Sequence, residues 1–120
     1  MKKILALDDN EDMLEMLQLI LGKKYEVHCI MAPEQFDEEV HSFQPDLIII
    51  DHFIGQYTSG TLMEDIGKNN FRQSFPFILF SGSHDVEARA NELGAAGFIM
   101  KPSSINYIRN YVDGFFSLAQ

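Results

Sequence analysis

With 120 residues, 46% of them hydrophobic, the chain is long enough for one packed core, too short for two, and too apolar to stay disordered. Eighteen acidic residues outnumber nine basic ones, for a formal charge of −9, and the basic residues form no cluster. This excludes non-specific attraction to nucleic acid or to anionic membrane; the charge otherwise serves solubility, and part of it suits a cation site.

The chain begins Met1-Lys2-Lys3, and the apolar run that follows, Ile4 to Leu7, stops at Asp8-Asp9. It is too short for a signal-peptide core, and no later stretch reaches transmembrane length, so a soluble, cytoplasmic protein is expected. Ile4–Leu7 reads as a strand. Asn10 can cap a helix that carries Met13, Leu14, Leu17, Ile20 and Leu21 on one face and ends at Gly22. Tyr25–Met31 is the second apolar run; its Cys29, the single cysteine of the chain, excludes an intrachain disulfide and reads as a small buried hydrophobe. Pro33 suits the first turn of a second helix through Val40 and Phe43, and Pro45 breaks it. Leu47–Ile50 is the third strand. Thr58 to Asn70 reads as the third helix, with Leu62, Met63 and Ile66 inward and Gly60 and Gly67 weakening it. Phe77–Phe80 is the fourth strand, Asp85–Leu93 the fourth helix, stopped by Gly94, and Phe98–Met100 the fifth strand. Ser103 or Ser104 caps a fifth helix whose apolar side is Ile105, Ile108, Val112, Phe115 and Phe116. Strands that alternate with helices, several of them wholly apolar, predict a doubly wound α/β sandwich around a parallel sheet, with residues 1–120 forming one domain.

Ligands of such sheets bind beyond the carboxyl ends of the strands. Asp8 and Asp9 follow the first strand, Asp51 the third, Ser81 and Gly82 the fourth, and Lys101 and Pro102 the fifth. Three carboxylates, a hydroxyl and an ammonium therefore converge on one edge. Close carboxylates repel and demand a counter-charge. A hard divalent cation supplies one, and Mg2+ fits best because it needs few carboxylates and keeps positions for water and phosphate. A carboxylate there can attack phosphorus and form an acyl phosphate, with Lys101 and the metal supplying charge and Ser81 a hydrogen bond to one phosphoryl oxygen. Taken singly, each residue has a plainer reading: Asp8 or Asp9 as a helix cap, Asp51 as a turn former, Lys101 as a surface lysine.

The acidic pair Asp8-Asp9, Asp51 after Leu47-Ile48-Ile49-Ile50, Ser81 after Phe77-Ile78-Leu79-Phe80, and Gly94-Ala95-Ala96-Gly97-Phe98-Ile99-Met100-Lys101-Pro102 together resemble the receiver domain of two-component response regulators over essentially the whole chain. The resemblance implies a five-stranded flavodoxin-like sheet of order 2-1-3-4-5 with five helices. It implies Asp51 as phosphoacceptor, and Asp9, Asp51 and the backbone carbonyl of Phe53 as direct Mg2+ ligands with Asp8 acting largely through water. Ser81 would bind the phosphoryl group, and Lys101 would pair first with Asp51 and then with that group. Phe98 would be the switch aromatic that moves inward with Ser81, and the Lys101-Pro102 bond would be cis. The partners implied are a sensor histidine kinase or phosphotransfer protein as donor and a downstream protein as target, without direct nucleic-acid or membrane binding; dimerisation is compatible with it. Such a domain is a switch that catalyses only its own phosphorylation and dephosphorylation.

Some residues depart from the family pattern. Family members usually carry a proline four residues past the phosphoacceptor and a glycine eight past it; here Gly55 and Ser59 take those places and Gly60 comes one later, so the stretch after Asp51 reads as a longer, looser loop. Gly82 replaces a commoner alanine and Phe98 a commoner tyrosine. Bulky Phe53 and short Ser83, each two residues past a pocket residue, favour slow loss of the phosphoryl group. His52 is expected on the solvent side or in a loop, because adjacent strand residues point oppositely. His84 is expected at the start of the fourth helix; His28 and His41 show no partner pattern, and the six methionines read as core fillers. A rival of another class is a constitutive interaction module with an unused pocket. A dehalogenase-type phosphatase is disfavoured by Phe53 standing where its general acid would be, and a Rossmann nucleotide site by the lack of a Gly-rich turn.

Overall fold

The computed structural model describes residues 1–54, 57–58, 61–62 and 75–118. In chain order they form β1 (Lys3–Leu7), α1 (Glu11–Leu21), β2 (Glu26–Ile30), a 3-10 turn (Pro33–Gln35) leading into α2 (Phe36–Phe43), β3 (Leu47–Ile50), a short β4 (Phe53–Ile54) and β5 (Tyr57–Thr58), β6 (Phe77–Ser81), α3 (Val86–Leu93), β7 (Gly97–Met100) and α4 (Ile105–Leu118). The main sheet is parallel throughout, with strands ordered β2-β1-β3-β6-β7. By main-sheet strand number this is the expected order 2-1-3-4-5, and the fold is the doubly wound one anticipated.

Each face of the sheet carries its own core. On one, Ile4, Ala6, Ile49 and Phe80 pack under Leu14, Leu17 and Leu21 of α1 and Ile108, Val112 and Phe116 of α4. On the other, Leu5, Leu7, Ile48, Ile50 and Leu79 pack under Phe36 and Val40 of α2 and Val86 and Ala90 of α3. Burial on both faces explains why β3 has no polar residue: all four of its side chains are buried.

The helix ends follow local chemistry. The Asn10 side chain accepts the Met13 N–H at 3.1 Å and caps α1. Gly22 ends that helix in the right-handed region, without a left-handed cap. Ahead of Pro45, Gln44 takes the left-handed conformation and closes α2. Of the two serine caps considered for the last helix, Ser104 serves: its Oγ accepts the Tyr107 N–H at 3.1 Å. Gly94 ends α3 at φ +73°. Gly94→Ala should therefore lower stability by about 1–2 kcal/mol, read from the urea midpoint, because a Cβ disfavours that conformation.

Several expectations need correction. Thr58 belongs to β5, not to a helix; its Oγ1 accepts the Thr61 N–H at 3.2 Å. Thr61 and Leu62 are helical and Leu62 is buried; the rest of the expected third helix, with Met63 and Ile66, lies outside the described residues. Among these residues four helices have full bounds rather than five. The supposed loop after Asp51 contains an antiparallel pairing, Phe53 with Thr58 and Ile54 with Tyr57. Ile105, the first residue of α4, is 51% exposed, and Met31 and Met100 are each 45% exposed. His41 pairs with Asp37 one turn earlier in α2, 3.3 Å apart, and His28 stacks on Phe43 with ring centres 3.9 Å apart. Cys29 is half-buried, and burial raises its thiol pKa, in keeping with an inert side chain.

Candidate functional site

Strand register assembles the pocket. Leu7 pairs with Ile50, so the next residues, Asp8 and Asp51, leave the sheet side by side. The backbone tightens this: Asp51 N–H donates to the Leu7 carbonyl at 3.1 Å, and Asp8 N–H to the Ile30 carbonyl at 3.3 Å. Carboxylate oxygens of Asp8, Asp9 and Asp51 all lie within 4.8 Å of one another. Across the site Ser81 ends β6 and pairs with Met100, which brings Lys101 in directly behind. The Lys101–Pro102 peptide is cis.

Lys101 is the cation among these carboxylates. Its Nζ donates to Asp8 Oδ2 at 2.7 Å and to Asp51 Oδ2 at 3.5 Å, and it lies 5.2 Å from the centre of the Phe80 ring. Lys101 thus pairs with Asp51 as expected and, more closely, with Asp8. Asp8 is the most enclosed of the three carboxylates, with its side chain 4% exposed against 14% for Asp51, so it gains most from a direct counter-charge. Its other oxygen accepts the Asn10 N–H at 3.0 Å, which settles the helix-cap question: Asn10 caps α1 and Asp8 orients Asn10. Asp9 is exposed.

Burial raises the Asp51 carboxyl pKa above the ordinary value; Lys101 opposes this, the Asp8 charge adds to it, and the His52 backbone N–H opposes it further. A carboxylate held this way lacks hydration and favours any added positive charge. Ser81 is buried at the strand end, where its Oγ accepts the Ser83 N–H at 3.3 Å. Ser83 in turn donates its hydroxyl to Asp85 ahead of α3. Phe98 is half-buried at the margin of the core under α3. The structure therefore brings Asp8, Asp9, Asp51 and Lys101 into one cluster and sets Ser81 at its rim, with Phe98 behind on β7. Phe53 follows as the first residue of β4. His52, expected toward solvent, is buried: the sheet is covered on both faces, so the side opposite Asp51 is also interior.

An open parallel α/β sheet with an acidic cluster and one lysine at the carboxyl ends of its strands defines a small cation- and phosphate-compatible domain. The family model described as the response regulator receiver domain matches residues 4–113, and the chain belongs to that family, whose members are the phosphoacceptor modules of two-component signalling. The chain resembles part of the sensor histidine kinase TmoS of Ectopseudomonas mendocina, at 25% identity over 97% of the chain but only 12% of the kinase. Among solved structures, the non-phosphorylated HemR receiver domain of Leptospira biflexa is 25% identical, with a TM-score of 0.80 over 94% of this chain and 92% of that one. The receiver domain of Francisella response regulator 1452 is 17% identical, with a TM-score of 0.84 over all of both chains, a likeness of fold. No helix among the described residues is long and apolar enough to cross a membrane.

Proposed function

We propose that Asp51 is the phosphoacceptor of a phosphorelay switch formed by this chain as one receiver domain. The observation that carries this reading is the cluster itself: three carboxylates whose oxygens approach within 4.8 Å, tied by one ammonium to Asp8 and Asp51. A carboxylate oxygen of Asp51 attacks the phosphorus of a phosphohistidine; the O–P bond forms as the N–P bond breaks, and the imidazole leaves with the electron pair and takes up a proton. Lys101 supplies positive charge to the phosphoryl oxygens, and the Ser81 hydroxyl donates to one of them. Phe98 then follows Ser81 as the switch aromatic.

The donor set fits Mg2+, being all oxygen, doubly or triply anionic and open on the exposed Asp9 side. Asp9 and Asp51 would hold it with the Phe53 backbone carbonyl, Asp8 assisting through water; bound there, Mg2+ neutralises charge on the transferred group. The donor would be a cytoplasmic sensor kinase or phosphotransfer protein, and the output a contact with a downstream protein or a second copy.

Incubation with Mg2+ and acetyl phosphate should add one phosphoryl mass to the wild type and none to Asp51→Ala. No addition to the wild type would favour a constitutive interaction module, and continuous consumption of the donor an enzyme.

A further inference from the structure

Among the described residues β7 is the outer strand of the sheet and pairs with one strand, β6. At its end Lys101 N–H donates inward to the Ser81 carbonyl at 2.9 Å. Backbone N–H groups alternate sides along a strand, so the Phe98 N–H, an odd number of residues earlier, faces the open edge. Tyr111 of α4 meets it there: its hydroxyl oxygen accepts the Phe98 N–H at 3.1 Å.

This contact is built tightly. A Cβ at Gly97 would stand 1.9 Å from the Tyr111 hydroxyl oxygen, so glycine is what lets the tyrosine close on the strand. The Tyr111 ring packs against the core that holds Ile108 and Val112, and the Tyr107 ring lies beside it with centres 6.0 Å apart. The hydroxyl is thereby placed by a helix anchored in the core. From Phe98 the backbone runs through Ile99 and Met100 to Lys101, whose ammonium holds Asp8 and Asp51.

We infer that Tyr111 is a positioning residue for the pocket: its hydroxyl pins the open edge of β7 and thereby fixes where the Lys101 ammonium lies relative to Asp8 and Asp51. Only the last of the readouts below rests on the proposed phosphoryl chemistry.

Tyr111→Phe keeps the ring and removes the hydroxyl. Amide exchange at Phe98 should quicken roughly tenfold while the Ile108 and Val112 amides of α4 keep their rates. The Lys101 side-chain resonances should shift, and acyl phosphate formation from acetyl phosphate should slow about threefold. Gly97→Ala retains Tyr111 but displaces its hydroxyl, and should shift the same Lys101 resonances. Faster Phe98 exchange with unmoved Lys101 resonances in both variants would overturn the inference, since the hydroxyl would then only cap a strand edge. Equal quickening throughout α4, or none at Phe98, would overturn it too. Should the wild type accept no phosphoryl group, the exchange and resonance readouts still decide the role of Tyr111, and that failure belongs to the phosphoacceptor reading alone.

Discussion

Lys101→Met should slow acyl phosphate formation from acetyl phosphate about 100- to 1000-fold, the usual loss when one preorganised charge-stabilising donor is removed. Methionine approximates the length of the lysine stem, so the loss isolates the ammonium. The same change should cost stability when no divalent cation is present. Breaking a fully buried ion pair costs about 3–5 kcal/mol. Lys101 is 19% exposed, so water covers part of that deficit, and about 2–3 kcal/mol is expected. Without the ammonium, burial and the Asp8 charge push the Asp51 carboxyl further up, since Lys101 is the main influence holding it down. The residual phosphorylation rate should then fail at a higher pH than in wild type as the solution is acidified, because the nucleophile must be ionised. A rate within threefold of wild type would remove Lys101 from the chemistry and leave it a structural counter-charge for Asp8.

Much of this site is legible along the chain, because a parallel sheet converts strand order into proximity. Asp8, Asp51, Ser81 and Lys101 each stand directly after or at the end of an apolar strand, and the fold gathers strand ends by construction. Helix ends such as the Asn10 start of α1 and the Gly94 stop of α3 are legible for a local reason: each answers the needs of one turn. Distances within the cluster are different. That Lys101 favours Asp8 over Asp51 follows from how deep each carboxylate sits, a property of the packed molecule that no spacing encodes. Alternation puts His52 opposite Asp51, but helices cover that side too, so it is buried and not in solvent. Two further features have a local signal. Phe53-Ile54 and Tyr57-Thr58 are β-branched and aromatic residues, the kinds that favour the antiparallel pairing they make. Asp37 and His41 stand one helical turn apart. Tyr111 carried no signal at all, because its partner is a backbone N–H on a strand edge.

Asp51→Asn should make the protein more stable than wild type at neutral pH when no divalent cation is present, and this order should reverse on adding Mg2+. Burial, with the Asp8 charge behind it, raises the Asp51 carboxyl pKa in the folded state despite Lys101. A raised value means that the folded chain holds the proton more tightly than the unfolded chain does. Stability therefore falls as pH rises from the unfolded carboxylate value through the folded one, and the deficit persists at neutral pH. Asparagine carries no charge there and escapes it; below the ordinary carboxylate range both side chains are neutral, and the advantage should vanish. Mg2+ should act oppositely, since on the proposed reading it would bind only the folded pocket and need the charge that asparagine lacks. At a hundredfold excess over its dissociation constant a ligand contributes about 2.7 kcal/mol, about 10 °C of melting temperature in a chain of this size. Wild type should gain that and the variant much less. Thermal melts of both proteins, with and without Mg2+, at neutral and acid pH, provide the check. An asparagine variant less stable than wild type in chelator at neutral pH would show that Lys101 already neutralises Asp51 in full. In the expected case the instability of the charged, unligated pocket is what makes Asp51 responsive, because the folded chain is then stabilised by whatever brings positive charge to that carboxylate.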